Sequence, residues 1–164
     1  MTTIAWDGKT LAADSQSTTG SFLCSKKEEK LHKPGCKDVW KINGEEILCF
    51  GASGDCGSEQ AIIDALISGF TYKTELPDIL AFTAIAAVSH QRCFLIFKDS
   101  GKKTASISLH KEKFAVGSGS DIARTAMHLG NDSIRAVQIA SELDVYTGGE
   151  IKSIVVTEVK SENH

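Results

Sequence analysis

The chain opens on a β-hairpin, and this start constrains its fold more than any later feature. Thr2-Thr3-Ile4-Ala5-Trp6 is β-branched and apolar, Asp7-Gly8 is a turn dipeptide, and Thr10-Leu11-Ala12-Ala13 follows at once. A charged stretch from Lys26 to Asp38 then carries a loop at Pro34-Gly35. Two short strands, Val39 to Ile42 and Glu46 to Phe50, are expected around a turn at Asn43-Gly44. From Ser58 to Phe70 the apolar residues Ile62, Ile63, Leu66, Ile67 and Phe70 recur at helical spacing. Pro77-Asp78 opens a second expected helix, Asp78 to His90, carrying Ile79, Leu80, Phe82, Ile85, Ala86 and Val88. Three strands follow (Cys93 to Lys98, Ala105 to His110, Lys113 to Val116), then helices from Asp121 to Leu129 and Ile134 to Leu143, and a last strand from Lys152 to Val159. Strands and helices therefore come in blocks. That order does not alternate as a doubly wound fold does, and it predicts an α+β chain in which helix pairs cover antiparallel sheets.

Length and composition make this one ordinary domain, 1–164. At 164 residues, 41% hydrophobic and 24% charged, the chain can form a core without disulfide or metal staples, and no cofactor is expected. Pro34 and Pro77 are the only prolines, and no Gly/Ser-rich linker or internal repeat divides the sequence. A net charge of -3 with scattered Lys and Arg gives no footprint for nucleic acid or an anionic membrane surface. The longest apolar run, Ile79 to Val88, is broken by Thr83 and is too short to span a bilayer. Five cysteines at irregular spacing (Cys24, Cys36, Cys49, Cys56, Cys93), with no secretory leader before them, are expected as free thiols in a reducing cytoplasm. Neither Cys-x-x-Cys nor His-x-x-x-His occurs, so no metal site is expected, and the histidines are expected as ordinary surface or core side chains.

Five places carry residues of a catalytic type, each with a plainer reading beside it. Met1 precedes Thr2, and an initiator methionine before a small residue is commonly removed. Thr2 would then present a hydroxyl and a free α-amine together; the amine, with a pKa of about 7.7 to 8, can serve as the hydroxyl's own general base. The plainer reading is a common start context. Asp14, in Ala12-Ala13-Asp14-Ser15, is a strand-end acid or merely a turn carboxylate. Lys30, in Glu29-Lys30-Leu31-His32, is one more solvated lysine or, if buried beside Thr2, a charge that lowers the hydroxyl's pKa. Phe114 to Ser120 runs a strand through Gly117-Ser118-Gly119 into a helix capped by Ser120 or Asp121. A dinucleotide cradle there fails, because Ile122 stands where the third glycine belongs. Asp144-Val145-Tyr146-Thr147-Gly148-Gly149 could be no more than a glycine stop after a helix.

In this order, the five pieces resemble the proteasome β-subunit and its bacterial relative, the protease of the HslUV system, within the N-terminal nucleophile (Ntn) hydrolases. The resemblance runs from Thr2 to about Val156. It implies that Thr2 is the nucleophile, that Asp14 is the acid of an Ala-x-Asp-x segment, and that Lys30, sixteen residues later, is the essential lysine. Ser118 matches the serine of a Gly-Ser-Gly turn, and Asp144 with Thr147 matches an Asp-x-x-Ser-Gly motif in which threonine replaces serine. Where the family has Ala-Gly-Gly, this chain reads Gly51-Ala52-Ser53-Gly54. The backbone donor of the oxyanion hole is expected at Ser53, or at Gly54 if the register slips by one. Gly51 would occupy a substrate-specificity position and leave the pocket roomy.

The resemblance further implies a four-layer αββα sandwich of two antiparallel sheets between helix pairs. The implied activity is that of a threonine endopeptidase working through an acyl-enzyme on peptides or unfolded protein. The implied assembly is a homo-oligomeric, doubled ring enclosing the active sites, with an ATPase or activator ring as a further partner. Two other readings stand beside it: a non-catalytic or masked ring subunit, since a retained Met1 would block the amine, and a small-molecule amidase of the same superfamily.

Overall fold

The computed structural model describes residues 2–157. Met1, the polar end at 158–164 and the last residues expected in the closing strand lie outside the described residues. Two antiparallel sheets carry the fold. The first has the order β12 (Phe114–Gly117), β1 (Thr3–Trp6), β2 (Thr10–Ala13), β13 (Lys152–Val155). The expected N-terminal hairpin pairs Ile4 with Ala13 and Trp6 with Leu11, and β12 pairs Thr3 with Gly117 on the other side. The start of the chain is thus a central strand, held from both edges. The second sheet has the order β11 (Ser106–His110), β10 (Arg92–Lys98), β9 (Phe82–Ser89), β8 (Cys49–Gly54), β5 (Leu31–His32).

Two small ribbons stand apart from the sheets, β3 (Ser17–Thr19) with β4 (Phe22–Ser25), and β6 (Lys41–Ile42) with β7 (Glu45–Glu46). The second is the expected Asn43-Gly44 hairpin, reduced to two-residue strands. Asn43 and Gly44 both have positive φ, +52° and +81°, the backbone that a two-residue turn of this kind requires. Cys49 and Phe50 do not belong to it. They begin β8, which continues to Gly54 in the second sheet.

The helices are α1 (Ser58–Ser68), α2 (Ser120–His128) and α3 (Ser133–Leu143). Three apolar clusters place them. Ile62, Leu66 and Phe70 pack with Phe50, Ala84, Ala86 and Phe94 on the outer face of the second sheet. Ile4, Trp6 and Leu11 meet Ile85, Ala87, Cys93 and Leu95 between the sheets. Ala123, Ala126, Met127, Ala136 and Val137 of α2 and α3 lie on Ala5, Ala12 and Ala115. Small side chains on both sides of this last contact let the two helices sit close against the strands that carry the chain start. Among the described residues no helix is long and apolar enough to cross a membrane.

One expected helix is a strand. The spacing of Asp78 to His90 predicts a helix, yet Phe82–Ser89 is β9, the central strand of the second sheet. The physical reason is burial on both faces. Phe82, Ala84, Ala86 and Val88 face the α1 side and Ile85 and Ala87 face the first sheet, so the period of two is hidden within a continuous apolar run. The first helix pair is therefore α1 alone.

Phe50 is fully buried, with its ring 5.5 Å from that of Trp40. Phe50→Ala should lower unfolding free energy by about 3–5 kcal/mol in chemical denaturation, the range for emptying an aromatic core position. A loss below about 1 kcal/mol would show that the α1 side of the sheet is not packed as described.

Candidate active site

Thr2 is buried at the head of β1. The Thr3–Gly117 pairing brings β12 against it, and Gly117 has φ +101°. A Cβ at Gly117 would run into the Thr2 carbonyl oxygen, so only glycine permits this approach. Thr2 also lines a cavity of about 410 Å³, shared with Lys30, Ala52, Gly54 and the first residues of α1. Its opposite wall is the β3–β4 ribbon, through Ser17, Thr18 and Thr19.

Asp14 follows directly from the end of β2 and is fully buried. Its Oδ1 accepts from the Lys30 ammonium at 2.9 Å and from the Thr3 amide at 3.0 Å. Its Oδ2 accepts from the Gly148 amide at 3.1 Å and the Gln16 amide at 3.4 Å. Lys30, itself 6% exposed, also donates to the Gln16 carbonyl. Burial pulls the Lys30 pKa below that of an ordinary lysine, while the adjacent Asp14 carboxylate resists the shift. The solvated-lysine reading is excluded.

The second group of predicted residues meets on the other side of the chain start. The Asp144 Oδ2 accepts from the Ser118 hydroxyl and from the Thr147 hydroxyl, both at 2.6 Å, and its Oδ1 accepts from the Tyr146 amide at 3.1 Å. Thr147 Oγ1 lies 2.7 Å from Thr3 Oγ1. Because the one Thr147 proton is given to Asp144, Thr3 is the donor in that pair. The result is a hydroxyl relay from Thr3 through Thr147 to Asp144. Partial burial raises the Asp144 pKa, but the bonds from Ser118, Thr147 and Tyr146 outweigh it and hold the carboxyl below its usual value.

The Gly51–Gly54 segment is placed differently from the expectation. Gly51 does not face the cavity. A Cβ there would point into the core, 2.9 Å from Ile4 Cδ1 and 3.0 Å from Leu31 Cδ2, so glycine at this position admits the packing of β1 and β5 rather than widening a pocket. Strand alternation turns Ala52 and Gly54 to the cavity instead. The Ser53 side chain points toward Gly117. β5 pairs with β8 only at Phe50 and Gly51, so among the described residues the Ala52–Gly54 edge has no strand neighbour on the Lys30 side.

Three residues in these networks escaped the sequence reading: Thr3, Gln16 and Gly148. Gln16 is 8% exposed and donates from Nε2 to the Val145 carbonyl at 3.0 Å while its own carbonyl holds Lys30. Its position two residues after Asp14 was the only signal. The buried thiols Cys49 and Cys93 are pushed up to about 12 by desolvation, which leaves them protonated at neutral pH and argues against thiol chemistry at those positions.

No family model and no curated protein matches the sequence. The fold does match solved structures. BPH from Thiobacillus denitrificans in complex with epoxomicin is 16% identical, with a TM-score of 0.65 over 97% of this chain and 99% of that one. The Gly-1 mutant of Anbu from Hyphomicrobium sp. strain MC1 is 12% identical, with a TM-score of 0.61 over 94% and 81%. The helical assembly of the Anbu complex from Pseudomonas aeruginosa is 10% identical, with a TM-score of 0.57 over 99% and 88%. This chain shares its fold with these structures.

The Asp144 network sets a pH dependence. A carboxyl whose pKa is lower folded than unfolded contributes stability above its ordinary value of 3.8, and that contribution is lost as pH falls through the folded value. Asp144→Asn should therefore be less stable than the parent at pH 7, with the gap closing as pH is taken below about 3.8 in urea titrations. A gap that stays constant with pH would contradict this arrangement.

Proposed function

We propose that this protein is a threonine-type endopeptidase whose nucleophile is Thr2, exposed by removal of Met1. The observation that carries the reading is the placement of Thr2 in a cavity beside a buried Lys30 held by a fully buried Asp14. A surface threonine has no use for a buried ammonium; a hydroxyl that must ionise in part does.

The Thr2 Oγ1 attacks the carbonyl carbon of a peptide bond, and its proton passes to the Thr2 α-amine directly or through water. A backbone N–H on the open edge at Ser53 or Gly54 takes the oxyanion; such a donor is typically worth about 3 kcal/mol. The amine returns the proton to the departing nitrogen, leaving an ester on Thr2, which water hydrolyses to free the new carboxyl end. Lys30 stabilises negative charge at the Thr2 oxygen, and Asp14 fixes that ammonium. Ser118, Asp144 and Thr147 hold the hydroxyl of the adjacent Thr3 through their relay and in this way position Thr2. We further infer the four-layer αββα arrangement, with α1 alone as one outer layer, and a cytoplasmic homo-oligomeric ring, doubled and served by an ATPase or activator ring. A chamber of that kind would admit peptides and unfolded chains.

Thr2→Ala should reduce cleavage of a fluorogenic peptide library to background, and Lys30→Ala should lower kcat by about 100-fold or more, as for loss of a group that stabilises transition-state charge. Full activity in Thr2→Ala would end the proposal. Unchanged turnover in Lys30→Ala would assign the ammonium a structural role only.

A further inference from the structure

Lys98 is a buried cation that the mechanism above leaves without a task. It closes β10 and is 3% exposed, yet no carboxylate of the described residues lies within ion-pair distance of it. The neighbouring Asp99 carboxylate turns to Lys102 instead, at 3.4 Å. The ammonium donates to three main-chain carbonyls, those of Leu80 at 2.6 Å, Asp99 at 3.3 Å and Asp78 at 3.4 Å. Burying a charge without a counter-charge is costly, and an apolar side chain at the end of β10 would avoid that cost. The use of this ammonium lies in the segment it holds.

That segment, 78–81, leads into β9 and has little packing of its own, since Ile79 is 75% exposed. Its far end is bonded to Asp55. The Asp55 amide donates to the Ala81 carbonyl at 3.0 Å, and the Ala81 amide donates to the Asp55 carboxylate at 2.9 Å. The Asp55 carbonyl is left to receive the Ser58 hydroxyl at 2.6 Å and the Ser58 amide at 3.2 Å, where α1 starts. Gly54 lies so close to the same segment that a Cβ would stand 2.3 Å from the Ala81 carbonyl oxygen. Lys98 is the register partner of Phe82, and Phe82 that of Gly54, so all of this happens at one end of one sheet. Gly54 to Gly57 is the turn from β8 to α1, and it lines the Thr2 cavity. A path of hydrogen bonds therefore runs from the Lys98 ammonium through 78–81 to Asp55, beside Gly54.

Resting on the peptidase reading above, in which Ser53 or Gly54 offers the oxyanion donor, we propose that Lys98 is a positioning residue for that donor. Its ammonium pins 78–81 from behind, and Asp55 transmits the placement to Gly54. An oxyanion donor acts in the transition state, so an error in its position falls on kcat rather than on substrate binding.

The test uses the chain that begins at Thr2, with reactive copies counted by a peptide epoxyketone so that loss of folded protein does not enter kcat. Lys98→Met keeps the length of the side chain and removes its donors. It should lower kcat on a fluorogenic peptide about tenfold or more and change KM by less than about threefold. Asp55→Ala cuts the same path on its exposed side, and it carries the test if Lys98→Met does not fold. It should show the same split, and the double variant should lose little beyond either single one. Unchanged kcat in either single variant, or losses that multiply in the double one, would overturn the assignment. Hydrogen–deuterium exchange followed by mass spectrometry reads the placement without turnover. In Lys98→Met the peptides spanning 53–57 and 78–81 should exchange about tenfold faster, while those of β9 and β10 keep the parent rate. Loss of protection across β9 and β10 as well would make Lys98 a merely structural residue and overturn the proposal. A parent protein that cleaves no peptide would end the peptidase reading, and the stated exchange pattern would then leave the Lys98–Asp55 path standing without it.

Discussion

The buried pair of Asp14 and Lys30 is the constraint on which the site depends. Both charges are withdrawn from water, and an ion pair in such a place is seldom worth its desolvation to stability alone. Removing one partner would leave the other uncompensated, at a cost of about 3–5 kcal/mol. The Asp14 carboxylate accepts from three backbone amides as well as from the ammonium, and these amides come from Thr3, Gln16 and Gly148. One side chain thereby joins the head of the N-terminal strand, the segment after β2 and the loop that leads into the closing strand. The chain start cannot shift without breaking this junction.

From that junction the rest follows by packing. β1 lies between β12 and β2, and the alanine-rich contact with α2 and α3 braces the same sheet from outside. Gly119 stands beside Thr3 and Thr147 where any side chain would break their hydroxyl contact, so the relay to Asp144 relies on a missing Cβ as much as on the polar groups present. Two networks, one centred on Asp14 and the other on Asp144, hold Thr3, the first by its amide and the second by its hydroxyl.

Much of this was legible in the sequence because it is local. Turn dipeptides announce the first hairpin, whereas Thr2, Asp14, Lys30, Ser118, Asp144 and Thr147 stand out only through their ordered resemblance to a family, each having a plainer local reading. The misreadings have equally local causes. β9 looked helical because both its faces are apolar, and alternation cannot be seen where nothing polar marks the second face. The β3–β4 ribbon passed unnoticed since its short strands are largely exposed, rich in Ser and Thr, and bury no apolar face. Gly51 was assigned to the pocket and belongs to the core, which is a question of strand parity: one residue of register exchanges the two faces of β8. Gln16 carries no motif at all, and only its three-dimensional neighbours give it meaning.

The central claim is that Thr2 offers a hydroxyl and a free amine on one residue beside Lys30. A peptide epoxyketone requires both groups to close its ring adduct, so the intact mass of the protein before and after incubation with such a compound is the most direct measurement. The account predicts a chain lacking Met1 that gains one inhibitor mass per copy, with the adduct mapped to Thr2. A chain that begins at Thr2, is folded, and remains unmodified would contradict it.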